Sequence, residues 1–173
     1  VNPNAPGDGR KRLPSAAISR KIATMMKWLD LPPVWLVCAL GLTWGLDRFV
    51  PWLATGIGWI ERAGQALVLL GLVSMALGAW ELVRHHTTFI PRRAPTNFVR
   101  QGIYRISRNP IYLGDALVLC GAALAWDVLP ALLIVPAFTG LITRRFIRGE
   151  EAGLRARFGD EVEAWFGRVR RWF

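Results

Sequence analysis

Four apolar blocks separated by clusters of arginine constrain this chain more than any other feature. They run over about residues 33–53, 60–83, 111–126 and 128–147. A helix needs roughly 20 apolar residues to cross ~30 Å of hydrocarbon. The first two blocks reach that length, and the third and fourth are marginal singly. Only the Trp126-Asp127 turn separates the last two, so they read as a helical hairpin. Pro130 and Pro136 are placed to bend the fourth helix. The predicted fold is all-α and integral to a membrane, with four transmembrane helices, the last two forming that hairpin.

The charge pattern fixes an orientation. Twenty of the 22 Lys and Arg residues lie in the N-terminal segment, in residues 84–110 or in residues 144–173. Four crossings put all three segments on one side, which the positive-inside rule makes the cytoplasm, with both termini inside. The chain is 53% hydrophobic yet carries a formal charge of +10. Arginines that flank apolar spans account for both numbers, so nucleic-acid binding is not expected. Cys38 and Cys120 each lie inside an apolar block, without disulfide or metal-ligand spacing.

Residues 1–15 are polar and rich in Pro and Gly, a disordered tail without a cleavable signal pattern. In residues 16–30, Ile18, Ile22, Met25, Met26 and Leu29 share one helical face. That predicts an interfacial amphipathic helix, or a simple basic anchor. Residues 31–173 form one membrane domain. Near its end Leu154, Phe158, Val162, Trp165, Val169 and Trp172 recur every three or four residues, predicting one or two amphipathic helices on the cytoplasmic face. Glu81 and Arg84 read as an i,i+3 pair. No strand–GxGxxG–helix unit is present.

Three motifs share the cytoplasmic side: His85–Pro91 (HHTTFIP), Gly102–Gly114 (GIYRISRNPIYLG) and Glu150-Glu151 within RRFIRGEE. A hairpin brings the start of the third span beside the end of the fourth. The Ser107–Gly114 stretch (SRNPIYLG) and Glu150-Glu151 are therefore predicted neighbours, although far apart in sequence.

These motifs carry a resemblance. Arg108-Asn109-Pro110-Ile111-Tyr112-Leu113-Gly114, an apolar hairpin, Glu150-Glu151, then Phe158-Gly159 and Val169 resemble the signature of the isoprenylcysteine carboxyl methyltransferase and phospholipid methyltransferase superfamily. Thr87-Thr88, Pro91 and the Gly102–Arg105 stretch are similar to bacterial members. The resemblance covers roughly residues 84–173. It implies S-adenosylmethionine as methyl donor, held in a cytoplasmic pocket, and a lipophilic small molecule or lipid as acceptor, arriving from the bilayer. It also implies a bacterial inner-membrane location.

On that resemblance, Tyr104, Arg108, Asn109, Pro110, Tyr112, Gly114, Glu150 and Glu151 are the candidate cofactor residues. Arg108 suits the cofactor carboxylate, either glutamate its hydroxyls or ammonium, and Tyr104 or Tyr112 its adenine. Asp115, an ionisable group just inside the third span, and Arg148 are the candidate catalytic residues, with Arg144, Arg145 or Arg148 placed to position an acidic acceptor. Asp115 also reads as a snorkelling or paired residue. Asn109 stands where the family's commoner residue is His, so a binding role survives there and a proton shuttle does not. Two other classes remain open: a non-catalytic membrane scaffold, and a nicotinamide-dependent reductase of the sterol-reductase type. No metal site is expected.

Overall fold

The computed structural model describes residues 30–87 and 97–173. The tail and interfacial helix expected before residue 30, and most of HHTTFIP, lie outside them. The described helices belong to one unit, Pro32–Phe173. They are α1 (Pro32–Phe49), α2 (Gly58–Arg84), α3 (Pro110–Ala125), α4 (Ile134–Ile142), α5 (Arg148–Phe158) and α6 (Asp160–Phe166). Short 3-10 helices at Pro51–Leu53, Gly102–Arg105 and Leu129–Leu133 join or open them. A π turn at Thr143–Ile147 links α4 to α5, so Leu129–Phe158 is one helical run of 30 residues. The described residues contain no strand.

Gly64, Gly71 and Gly78 recur every seven residues along α2 and are all buried. Gly114 and Gly121 repeat the spacing on α3. The two helices meet there backbone to backbone. A Cβ on Gly71 would sit 2.7 Å from the Gly114 carbonyl oxygen, and one on Gly121 would sit 2.6 Å from that of Gly64. Small residues on a seven-residue repeat let helices approach closely without needing the hydrophobic effect, which apolar lipid does not supply. Within the seam the Ser74 hydroxyl donates to the Pro110 carbonyl at 2.7 Å. Pro110 itself opens α3, where its missing N–H leaves nothing unpaired.

The seam makes an ordered prediction. Gly71→Ala meets fixed backbone, whereas a Cβ at Gly78 meets chiefly the Ile111 side chain, at 2.9 Å, which can turn aside. Gly71→Ala is expected to destabilise by about 1–3 kcal/mol, and Gly78→Ala by less. Thermal unfolding in detergent checks the order, and equal losses would contradict the seam.

Two helices, Gly58–Arg84 and Leu129–Phe158, are long and apolar enough to cross a membrane. Only 17% and 28% of their apolar windows are buried within the protein. Leu69, Leu70, Leu72, Val73, Leu77, Trp80 and Val83 face outward along α2. A core helix of a water-soluble domain buries such a face, because exposed apolar patches beyond a few hundred Å² are rare. These helices support a membrane protein. α3 is also apolar but spans 16 residues, and α1 has 18 with Asp47 and Arg48 near its end.

The predicted hairpin is present. α3 ends at Ala125, Asp127 turns the chain at φ +55°, and the helix resumes at Leu129. Pro130 occupies the first turn of the 3-10 segment, and Pro136 follows the change to α-helix. The Asp127 carboxylate accepts from the Thr55 hydroxyl at 2.7 Å and from the Gly56 N–H at 2.6 Å. It thereby ties the α1–α2 connection to the hairpin turn. Those two bonds, the Thr55 hydroxyl's first, hold the Asp127 carboxyl below the usual carboxylate range. With a folded pKa below the unfolded value of about 3.9, their stabilisation is complete above that value and is lost as pH falls through the depressed one. Melting temperature is therefore expected to fall more steeply with acidification below about pH 4 in the native protein than in Asp127→Asn. Parallel profiles would contradict the tie.

The C-terminal stripe forms two helices broken at Gly159, which takes φ +52°. Val162, Trp165 and Val169 are buried, and Trp165 and Val169 pack with Val99 and Tyr104 in a second core. Glu81 does not pair with Arg84. Glu81 Oε2 lies 3.5 Å from His85 Nδ1, and a Cβ on Gly102 would collide with its carboxylate. The 3-10 segment at Gly102–Arg105, packed on α2, displaces the expected i,i+3 contact.

Candidate functional site

The hairpin delivers the predicted contact between its two ends. The Tyr112 hydroxyl, on the first turn of α3, donates to Glu150 Oε1 at 2.7 Å. The π turn ends at Ile147, three residues before Glu150. It buries the consecutive residues Phe146 and Ile147 against the core that holds Tyr112 and Leu119. Such wide turns are frequent at functional sites, and here it sets the rotation of α5 that aims Glu150 at Tyr112.

The two glutamates differ sharply. Glu151 is 4% exposed and fully engaged. Arg171 grips it with a fork, Nε at 2.9 Å from Oε1 and Nη2 at 2.7 Å from Oε2. Arg108 Nη1 adds a contact at 3.3 Å. Hydrogen bonding to Glu151 raises the Arg171 pKa above its ordinary value. Burial lowers that of Arg108, with Glu151 opposing, though a guanidinium stays charged. Arg108 also lies 4.4 Å from the Phe166 ring centroid, and its Nε is buried without a hydrogen-bond partner among the described residues.

Backbone contacts fasten the C-terminal tail to the loop before α3. The Arg108 N–H donates to the Arg170 carbonyl at 3.0 Å. The Arg171 carbonyl accepts from Asn109 Nδ2 at 3.0 Å and from the Ser107 hydroxyl at 3.3 Å. Asn109 thus works as an amide clamp, a task its donor performs without titrating.

Around Tyr112 and Glu150 the surroundings are acidic. Tyr104 is 8% exposed, and burial, followed by the carboxylates of Glu150 and Glu81, pushes its hydroxyl well above the usual range. It stays neutral at any physiological pH. Glu81 Oε2 is buried and has no hydrogen-bond partner among the described residues, because His85 Nδ1 lies nearer the Glu81 carbonyl, at 2.9 Å. Asp115, three residues beyond Tyr112 on α3, is 3% exposed. No group of three metal-ligating side chains occurs among the described residues.

The sequence candidates therefore separate by position. Tyr104, Tyr112 and Glu150 gather at one place, with Asp115 a turn along from Tyr112. Arg108, Asn109 and Glu151 form the tail clamp. Pro110 and Gly114 pack against α2, Gly114 next to Met75 and Gly71. Arg148 is exposed at the start of α5, outside the cluster. Sequence reasoning missed Arg171, one of eight arginines after residue 143 with nothing in its spacing to distinguish it. It also missed Glu81, whose only signal is a carboxylate within a turn of the end of an apolar helix.

A sequence model of the family described as phospholipid methyltransferase matches residues 60–161, more than half of the chain. The chain belongs to the phospholipid methyltransferase family. That family lies within the isoprenylcysteine carboxyl methyltransferase-like superfamily. The match begins at α2, well before the motifs that carry the resemblance, and so takes in the glycine seam and Glu81. Family membership implies methyl transfer to lipid-type substrates. No curated protein and no solved structure matches the chain.

Proposed function

We propose that the chain crosses the bacterial inner membrane four times and transfers a methyl group from S-adenosylmethionine to a lipophilic acceptor at the cytoplasmic face. The observation that carries this reading is the Tyr112–Glu150 contact, set in an acidic cluster with Glu81 beside the buried Tyr104. A sulfonium and an ammonium are the charges such a cluster fits. Glu81 Oε2 and Arg108 Nε, buried without a hydrogen-bond partner among the described residues, offer an acceptor and a donor that match the cofactor's ammonium and carboxylate.

This assigns the cofactor contact to Glu150. Glu151 is already neutralised by two arginines and holds the tail. When bound, the cofactor supplies an electrophilic methyl on sulfur. The chain's residues orient and desolvate. The Tyr112 hydroxyl fixes one oxygen of Glu150 and leaves the other to face the cation. Tyr104 walls the site as a neutral ring. Asp115 lies toward the apolar interior and accepts the proton of a protonated acceptor. Arg148 stands at the water-facing rim, placed for an acidic headgroup.

Aromatic residues support the four crossings. Phe49, Trp52, Trp59 and Trp126 are exposed around the two connections opposite the site, and Trp80 is exposed near the other end of α2. Tryptophans favour both membrane interfaces. The shorter α1 and α3 are accommodated by local bilayer thinning or by shelter among the other helices. Titration of S-adenosylmethionine into the purified protein, with Glu150→Gln as comparison, tests the reading.

A further inference from the structure

The outward face of the fourth helix carries a groove of ≈ 520 Å³ lined by Pro136, Ala137, Gly140, Leu141, Arg144 and Arg145. Phe138, Ile142, Phe146 and Ile147 on the same run are buried in the core with Tyr112. The groove therefore faces away from the Tyr112–Glu150 site. A Cβ on Gly140 would meet nothing within 4 Å, so the groove is open over that residue. Its apolar part leads to two guanidinium groups at one end, and none of its described lining residues is acidic. The π turn places both arginines there, with Arg145 5.7 Å from the Trp35 ring centroid.

We infer that this groove seats an anionic phospholipid, with an acyl chain along Pro136–Gly140 and the phosphate at Arg144 and Arg145. From Pro136 to Arg144 the helix rises roughly 12 Å, enough for much of one acyl chain. The arginines lie on the basic side of the membrane, at the depth where headgroup phosphates lie. A second copy of the chain does not fit. Two chains inserted with the same orientation would pair groove to groove with their arginines apposed, at the edge of a low-dielectric medium. The inference rests on the membrane placement and is independent of methyl transfer.

Native mass spectrometry of the full chain released from detergent tests it, with phosphatidylglycerol and phosphatidylcholine of matched acyl chains as probes. Phosphatidylglycerol is expected to be retained about ten-fold better, each arginine contributing several-fold. Arg144→Gln with Arg145→Gln should reduce it to the phosphatidylcholine level. Gly140→Leu, which fills the groove without touching the core, should weaken retention with both arginines intact. Arg157→Gln with Arg168→Gln, the same charge change at exposed positions elsewhere, should leave it unchanged. Equal retention of the two lipids would overturn the inference. So would equal losses in the groove and control variants, or undiminished retention in Gly140→Leu.

Discussion

Glu151→Ala is expected to cost about 3 kcal/mol of stability. The carboxylate is 4% exposed and receives the Arg171 fork and Arg108. Removing one partner of a buried ion pair costs about 3–5 kcal/mol, because the remaining charge stays desolvated. The lower end applies, since the Arg171 side chain is 35% exposed and recovers water. Arg108 does not recover it, being 15% exposed with its Nε already lacking a hydrogen-bond partner among the described residues. The loss should release the tail from the Ser107–Asn109 loop. Arg108→Met combined with Glu151→Met should recover part of the stability, because apolar groups of similar volume can replace a buried pair. Thermal unfolding and limited proteolysis of the C-terminus measure both effects. A Glu151→Ala protein as stable as the native one would contradict the clamp.

Glu150→Gln is expected to do the opposite: to keep the fold and lose the cofactor. Its carboxylate makes one described hydrogen bond, from Tyr112, and a glutamine carbonyl can still accept that bond. What disappears is a negative charge facing a cation in a partly desolvated site. Removing one member of such a pair costs about 2–5 kcal/mol, at least thirty-fold in affinity. Tyr112→Phe should lie between, freeing Glu150 to turn without removing its charge. The proposed contrast between adjacent glutamates, one holding the tail and one meeting the cofactor, is what these two variants test.

Most of what positions the site was legible in the sequence. The hairpin followed from two apolar blocks joined by Trp126-Asp127, and with it the meeting of the Ser107–Gly114 stretch with Glu150-Glu151; that Tyr112 and Glu150 make the contact did not. The break at Gly159 was half visible, as one or two helices. What escaped was the division of labour. Glu150 and Glu151 look identical in sequence. Only the rotation set by the π turn, and a tail arginine from 20 residues further on, tell them apart. The glycine seam escaped because glycines scattered through apolar blocks look like composition until their seven-residue repeats are aligned on two helices. The Glu81–Arg84 pairing failed because local spacing ignores a loop that packs from elsewhere, here Gly102 against the carboxylate.

The account stands most directly on one titration. S-adenosylmethionine is added to native, Glu150→Gln and Arg157→Gln proteins in lipid-supplemented detergent, with binding heat recorded and folding checked by thermal unfolding. The account predicts saturable binding to the native and Arg157→Gln proteins and at least a thirty-fold loss in Glu150→Gln, which should melt within a few degrees of native. Absence of binding to well-folded native protein, or equal affinity in Glu150→Gln, would contradict it.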